Sequence, residues 1–367
     1  MFIRQNKSAK HNFFMSLALL QAQKNLGRTR KNPSVGCVIV KNQNVISASS
    51  TGVNGRPHAE VNALSFSKNT VKGSDLYVTL EPCSHHGVTP PCTSAIIKKG
   101  IKRVFFSVHD PDIRSYKKSS KLLENKNIKV KKNIYVYKIK NFYKSYMKFK
   151  TNKLPHVTAK LAISKDSFAN NKLNKWITNK FSRGRVHLMR SYHDIILTSA
   201  STVIADNPRY NCRIDGLDKN SPAKVILDKN LKIPLNSNII KLGNKNKTLI
   251  FYNKINKKKI HQLKKYKIKL IKFNLNKNAN FDLKEILIKI KSLGYSRIFV
   301  ESGIKLMNNF LNENLVDDLY IFKSSKKIGK YGFNNFKKSI KHFTNRKKTT
   351  IFNINLHGDK MFLYNLK

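Results

Sequence analysis

Short apolar runs alternate with amphipathic stretches along the chain. Between residues 9 and 26, Phe13, Phe14, Leu17, Ala18, Leu20 and Ala22 fall largely on one stripe at helical spacing, which predicts a helix. Lys31-Asn32-Pro33-Ser34 reads as a turn. The apolar run 35–40 reads as a buried strand, paired with 45–50 as a hairpin across Asn42-Gln43-Asn44. A helix through Val61, Ala63 and Leu64 follows. After it come a strand at 76–80, a helix at 93–99, a strand at 103–108, a helix near 117–125 and a strand near 129–137. Helices alternating with strands predict an α/β layered domain.

The segment 138–153 is dense in Lys and in Tyr or Phe. It predicts a connecting helix with buried aromatics and solvated lysines, in preference to a basic-aromatic nucleic-acid patch. A domain boundary falls near residue 150, and a chain of 367 residues fits two domains, 1–150 and 151–367. In the second half, strands are predicted at 155–164, 195–198, 223–228, 247–252, 269–273 and 297–300, and the strand at 195–198 runs into 199–203. Helices are predicted at 180–190 and 283–293. The strand at 297–300 ends in Glu301-Ser302-Gly303 and leads into a helix at about Lys305. A glycine at such a turn lets backbone N–H groups approach a phosphate. The G-x-G-x-x-G dinucleotide fingerprint is absent. The last strands are predicted at 318–322, 349–356 and 360–366, with a lysine-rich loop between the first two.

The chemistry concentrates between Pro57 and Cys92. The stretch opens with Pro57-His58-Ala59-Glu60 and closes with Glu81-Pro82-Cys83, a His85-His86 loop and Cys92. One imidazole and two thiols make a three-ligand zinc site with one position open, the mark of catalytic zinc. Hydrolytic deamination of a pyrimidine needs a hydroxide at neutral pH, which zinc supplies by lowering the pKa of a bound water to about 7. A carboxylate must then carry protons, and Glu60 is the acid nearest His58 in sequence. Pro57 predicts that His58 and Glu60 sit in the first turn of a helix. Cys92, at a second helix start, is placed where thiols are biased toward thiolate. This is the H-x-E … P-C … C pattern of zinc deaminases. The competing readings are a structural zinc knuckle, with His85 or His86 as fourth ligand, and a buried histidine with two core cysteines.

Composition narrows the class. The formal charge is +54, from 73 Lys+Arg against 19 Asp+Glu. Such a balance is expected of nucleic-acid binders. Here the basic residues are spread along the chain among Asn, Ile and Ser, which fits a drift toward A/T-rich codons, and no specific nucleic-acid module stands out. The self-repulsion predicts sensitivity to low salt. The four cysteines, Cys37, Cys83, Cys92 and Cys212, imply no disulfide framework and fit a reducing cytoplasm. No apolar run approaches the roughly 18 residues of a membrane span, and residues 1–10 lack the apolar core of a signal peptide. A homo-oligomer is compatible with the sequence.

The chain resembles the bifunctional riboflavin-biosynthesis deaminase/reductase family over essentially its full length. Residues 32–40, 57–61 and 77–92 carry the likeness to the deaminase half. Nucleic-acid deaminases share the ligands but not the Cys-Ser-His-His-Gly loop. Lys160-Leu161-Ala162, Trp176-Ile177-Thr178, residues 197–208 and 300–303 carry the likeness to the reductase half. The resemblance implies a cytidine-deaminase-like α/β/α domain followed by a dihydrofolate-reductase-like α/β domain. It implies deamination of a diaminopyrimidine bearing a ribosylamino 5-phosphate, then reduction of the ribosyl group to ribityl with NADPH. It implies zinc on His58, Cys83 and Cys92 with Glu60 as proton shuttle. It also implies NADPH contacts at Ala162, Trp176, Thr202, Asp206 and the turn from Gly303, and substrate contacts at Asn174, Arg190, Tyr210, Arg213 and Glu301. Two arginines suit a 5-phosphate, which guanidinium grips as a fork. The alternative is an editing or nucleic-acid-binding zinc deaminase with a non-catalytic second domain. The chain departs from the family pattern after the first reductase strand. Ser164-Lys165-Asp166-Ser167 stands where the family has Ser-x-Asp-Gly, and 166–176 is about two residues short. A glycine required there for positive φ would leave Ser167 strained.

Overall fold

The computed structural model describes residues 7–67, 70–243 and 247–367. Most of the first ten residues, on which the reading of the N-terminus rests, lie outside it. The chain divides into two compact units that meet in sequence between Lys153 and Leu154.

The first unit runs α1 (Lys7–Lys24), β1 (Gly36–Lys41), β2 (Asn44–Ser50), α2 (Ala59–Phe66), β3 (Asp75–Leu80), α3 (Cys92–Lys98), β4 (Arg103–Val108), α4 (Ser119–Glu124), β5 (Lys129–Lys131) and α5 (Val136–Thr151). Its strands form one sheet in the order β2-β1-β3-β4-β5. β1 is antiparallel to both neighbours, whereas β3, β4 and β5 are parallel. The apolar runs of β1 and β3 lack alternation because helices cover both faces; Cys37, Val38, Ile39, Leu76, Tyr77 and Val78 are fully buried. Gly36 is needed where α1 crosses β1, since a Cβ there would collide with the Ala18 carbonyl.

The strand predicted at 129–137 ends at Lys131. Asn133 and Tyr135 take left-handed φ of 63° and 57°, which breaks the extended chain. The helix then starts at Val136 and belongs to the first unit. Tyr143 and Tyr146 are buried as predicted and Phe142 and Phe149 half-buried, while Tyr137 at the helix start is exposed. The Tyr143 hydroxyl donates to the Ser34 carbonyl at 3.1 Å, and Tyr146 donates to Asp110 Oδ1 at 2.9 Å.

The second unit runs β6 (His156–Ile163), β7 (Phe168–Asn171), α6 (Lys180–Ser191), β8 (Ile195–Ser199), α7 (Ala200–Asp206), β9 (Ala223–Leu227), α8 (Asn238–Lys241), β10 (Thr248–Tyr252), α9 (Lys257–Lys265), β11 (Lys269–Lys272), α10 (Leu283–Ser292), β12 (Arg297–Val300), α11 (Ile304–Asn312), β13 (Asp318–Lys323), β14 (Gly332–Asn335), α12 (Lys337–Thr344), β15 (Lys348–Ile351) and β16 (Lys360–Asn365). The main sheet has the order β11-β10-β9-β8-β12-β6-β13-β16-β15. It is parallel from β11 to β13, and β16 joins it antiparallel. The segment 199–203 coils into α7, capped by the Ser199 hydroxyl, which accepts the Thr202 N–H. The lysine-rich loop holds β14 and α12. β14 pairs with β7 in a separate two-stranded ribbon, a non-local pairing that no local pattern announces.

Two features follow from packing. Ser167 does take φ of 71°, with its N–H donating to the Ser164 carbonyl at 3.0 Å. The turn survives because Asp166 ties it down, accepting N–H groups of Ile328 and Gly329 and the Ser164 hydroxyl. On β9, Val225 and Leu227 pack on one face of the sheet and Ile226 on the other. Alternation puts Lys224 on the Ile226 face. There it is fully buried, with no partner for its ammonium among the described residues. Burial, aided by the Arg190 charge, pulls its pKa down to about 7.

Two stability measurements check these points. Ser167→Gly should raise the unfolding free energy, read from denaturant titration, by about 1 kcal/mol, because glycine adopts left-handed φ without the side-chain penalty. Lys224→Met should gain on the order of a few kcal/mol at pH 7, since each unit of pKa depression corresponds to about 1.4 kcal/mol. The folded pKa of Lys224 lies below the unfolded one. Between about 7 and 10.5 the unfolded chain therefore binds more protons, and wild-type stability should rise with pH across that window. The advantage of the Met variant should shrink by pH 10.

Candidate active sites in the two units

In the first unit three chain segments converge at the carboxyl end of β3. His58 is the N-cap of α2, one position before the predicted first turn, and Glu60 lies inside that turn. Cys83 follows β3, and Cys92 opens α3 as expected. The ligand atoms of His58, Cys83 and Cys92 all lie within 4.8 Å of one another. His58 Nδ1 is 3.3 Å from Cys92 Sγ and 3.5 Å from Cys83 Sγ. A borderline-soft dication with tetrahedral preference suits this nitrogen and sulfur set, and three ligands leave a fourth position for water. His85 and His86 are not in the cluster, so the knuckle reading has no support in the geometry. His85 Nδ1 instead meets Ser115 Oγ at 2.8 Å, and His86 is exposed.

The electrostatics separate the two thiols. Cys83 is drawn down to about 4 by the Cys92 thiol and backbone N–H and by His58. Cys92 is pushed up by the Cys83 sulfur and by burial. The Cys92 N–H at the start of α3 thus favours thiolate first at Cys83. Glu60 is buried, and desolvation pushes it up to about 7 against the pull of His58. Glu81, also buried, fastens the loop after β4 by accepting from the Lys117 and Ser119 N–H groups and the Ser119 hydroxyl.

In the second unit a cavity of about 560 Å³ opens at the carboxyl ends of β6, β8 and β12. Chain connections lead away in opposite directions there, so the crevice is not bridged. Ala162, Trp176, Thr202, Asp206, Arg190, Tyr210, Arg213, Glu301 and Gly303 all line it. Asn174 does not; its carboxamide accepts the Trp176 N–H at 2.8 Å and shapes the turn that presents the indole. Gly303 caps α11 and its N–H donates to Thr202 Oγ1 at 2.9 Å. The Arg183 guanidinium lies 4.6 Å over the Trp176 ring.

The cavity floor departs from a simple phosphate fork. Arg190 grips Glu301 through Nε and Nη2 at 2.9 and 2.8 Å, and Nη1 donates to the Asn211 carbonyl. Its bidentate edge therefore faces a carboxylate, and Arg213 and Arg209 remain for an anion. Tyr210 supports the pair, donating to the Glu301 carbonyl at 2.8 Å. In the sequence Lys160 stands out only as part of the Lys160-Leu161-Ala162 motif. It lines the cavity near Glu301, with its pKa lowered by burial. A single charge within the run 157–163, which is otherwise apolar apart from Thr158, was the available signal. His187 also lines the cavity, held down to about 4 by burial and two arginines.

These two sites define a zinc-dependent pyrimidine deaminase joined to an NADPH-dependent reductase, and the comparisons agree. Residues 8–108 match the cytidine and deoxycytidylate deaminase zinc-binding region, and 155–350 match the RibD C-terminal domain. The riboflavin biosynthesis protein RibD of Aquifex aeolicus is 34% identical over 89% of this chain and 92% of its own. That of Bacillus amyloliquefaciens is 33% identical over 86% and 85%. Among solved structures, Acinetobacter baumannii RibD superimposes with a TM-score of 0.83 at 27% identity, covering 98% of this chain and 99% of its own. A Thermotoga maritima diaminohydroxyphosphoribosylaminopyrimidine deaminase/5-amino-6-(5-phosphoribosylamino)uracil reductase gives 0.83 at 28% identity with the same coverage. The chain belongs to the RibD family, the bifunctional deaminase/reductases of riboflavin biosynthesis. The editing-deaminase alternative is not favoured.

The buried ion pair offers a check. Arg190→Met should destabilise by about 3–5 kcal/mol, because Glu301 is left buried and unpaired. Arg190→Met with Glu301→Leu should recover most of that loss in urea unfolding.

Proposed function

We propose that residues 1–150 deaminate and residues 151–367 reduce one phosphorylated pyrimidine in succession. The first step takes an amino group from a diaminopyrimidine carrying a ribosylamino 5-phosphate; the second converts the ribosyl group to ribityl. The reading is carried by the clustering of His58, Cys83 and Cys92 with Glu60 buried beside them. The reactions named for the Thermotoga protein support it.

In the first domain His58, Cys83 and Cys92 would hold zinc, which when bound would supply the Lewis acidity that makes a water nucleophilic at neutral pH. Glu60 takes the proton of the attacking water on a carboxylate oxygen. It passes that proton to the ring nitrogen and then carries the proton of the new C–OH group to the departing amine, and its upward shift by burial suits that traffic near neutral pH. The enclosed setting keeps bulk water from competing for those protons.

In the second domain NADPH supplies a hydride. Thr202, Asp206, Ala162, Trp176 and the Gly303 turn line its side of the cavity, and the N-terminus of α11 offers N–H groups to a phosphate. Tyr210, Arg213, Arg190, Glu301 and Asn174 are assigned to substrate, Asn174 through the turn it builds. Reduction at C1′ opens the ribose ring, and the ring oxygen must gain a proton. Lys160, its ammonium weakened by burial beside Glu301, is placed to give it. A cytoplasmic location belongs to the same reading, supported by four free cysteines. No described helix is long and apolar enough to cross a membrane.

Glu60→Gln tests the first assignment. It should abolish ammonia release while metal analysis still finds one zinc per chain, and NADPH consumption on the deaminated intermediate should continue. Full ammonia release in that variant would end the proposal for Glu60.

A further inference from the structure

The segment 208–213 lines part of the reductase cavity, through Pro208, Arg209, Tyr210 and Arg213. Its backbone is not relaxed: Tyr210 holds a left-handed φ of 46°, which a bulky side chain keeps only where its surroundings enforce it. Two residues of α6 supply much of that enforcement. His187 and Arg190 stand three apart and so share a helix face. Arg190 Nη1 donates to the Asn211 carbonyl at 3.1 Å. His187 Nδ1 lies 3.0 Å from the same carbonyl oxygen, and the Arg213 backbone N–H points at it from 3.2 Å. Asn211 in turn reaches forward, its Oδ1 accepting Arg213 Nη1 at 2.8 Å. Both the backbone and the guanidinium of Arg213 are thus set by a segment that α6 clasps. The remaining hydrogen-bonding nitrogens of Arg190 are committed to Glu301, so the grip on the backbone of residue 213 falls to His187. Neither ligand set assigned to the cavity includes His187.

We propose that His187 is a positioning residue for the reduction: it holds the backbone at 211–213 so that Arg213 meets the substrate in a fixed pose. The inference rests on the second domain being the reductase and on Arg213 contacting its substrate. Burial and the charges of Arg190 and Arg213 keep the imidazole neutral, so the clasp adds no third cation to the pair. Arg213 is exposed, and its N–H turns to water when His187 is removed. What is lost is the aim of the guanidinium rather than the fold.

The test is steady-state NADPH consumption on the deaminated intermediate, measured with the full chain. His187→Leu should raise KM for the intermediate about 10-fold, the scale of a loosened hydrogen bond to a charged group. Its kcat and its affinity for NADPH should stay close to wild type, which also shows that the cavity has folded. His187→Asn, which keeps a polar atom where Nδ1 stands, should recover most of the loss. Arg213→Gln should raise KM at least as far, and adding His187→Leu to it should cost little more, because residues that act through one another are non-additive. A direct substrate contact by His187 predicts additive losses instead. Additivity, an unchanged KM in His187→Leu, or a parallel loss of NADPH affinity overturns the proposal. Absence of NADPH consumption in the wild type ends the reductase reading and the inference with it, and that result is read before any variant.

Discussion

Both sites rest on the same constraint: parallel strands must hand the chain to a crossover at their carboxyl ends, and the backbone there turns away from the sheet. In the first unit the turn after β3 delivers Cys83, while the starts of α2 and α3 bring His58 and Cys92 to the same edge. In the second, the ends of β6, β8 and β12 open a crevice lined by Lys160, Thr202 and Glu301. Neither site could form on the strand faces, which are closed by helices and filled with aliphatic side chains.

Charge is handled differently in the two places. Around the zinc ligands, burial raises Glu60 and the Cys92 N–H steadies the Cys83 sulfur, so the local dipoles and desolvation prepare the groups for a cation. In the reductase cavity, Glu301 neutralises Arg190, while Lys160, Arg209 and Arg213 line the rest of the space. A formal charge of +54 does not contradict either site, because the working carboxylates are buried beside their partners. Desolvated pairs of this kind are screened little by salt, unlike exposed lysines.

The departure at Ser164–Ser167 shows how a local rule can be broken and held. Ser167 keeps a left-handed φ that glycine would adopt freely, and the Asp166 carboxylate binds the loop at 328–329 to compensate. The ribbon of β7 and β14 depends on that fastening, and it carries Ala169 and Asn170 to the cavity wall.

The His58, Cys83 and Cys92 cluster with Glu60 buried beside it, most strands and the two-part division were legible in the chain. Ligand types and short spacings are local, and an apolar run of 36–40 or 76–80 admits few placements other than a covered strand. The early end of β5 was not legible, because the left-handed residues at 133 and 135 look like any Asn or Tyr in an alternating stretch. Nor was the β7–β14 ribbon, whose partners lie some 160 residues apart and carry weak patterns of their own. The capture of Arg190 by Glu301 and the isolation of Lys224 were decided by tertiary packing alone. Each depends on which side chains arrive at one point from distant segments, and residue type and spacing do not encode that distance.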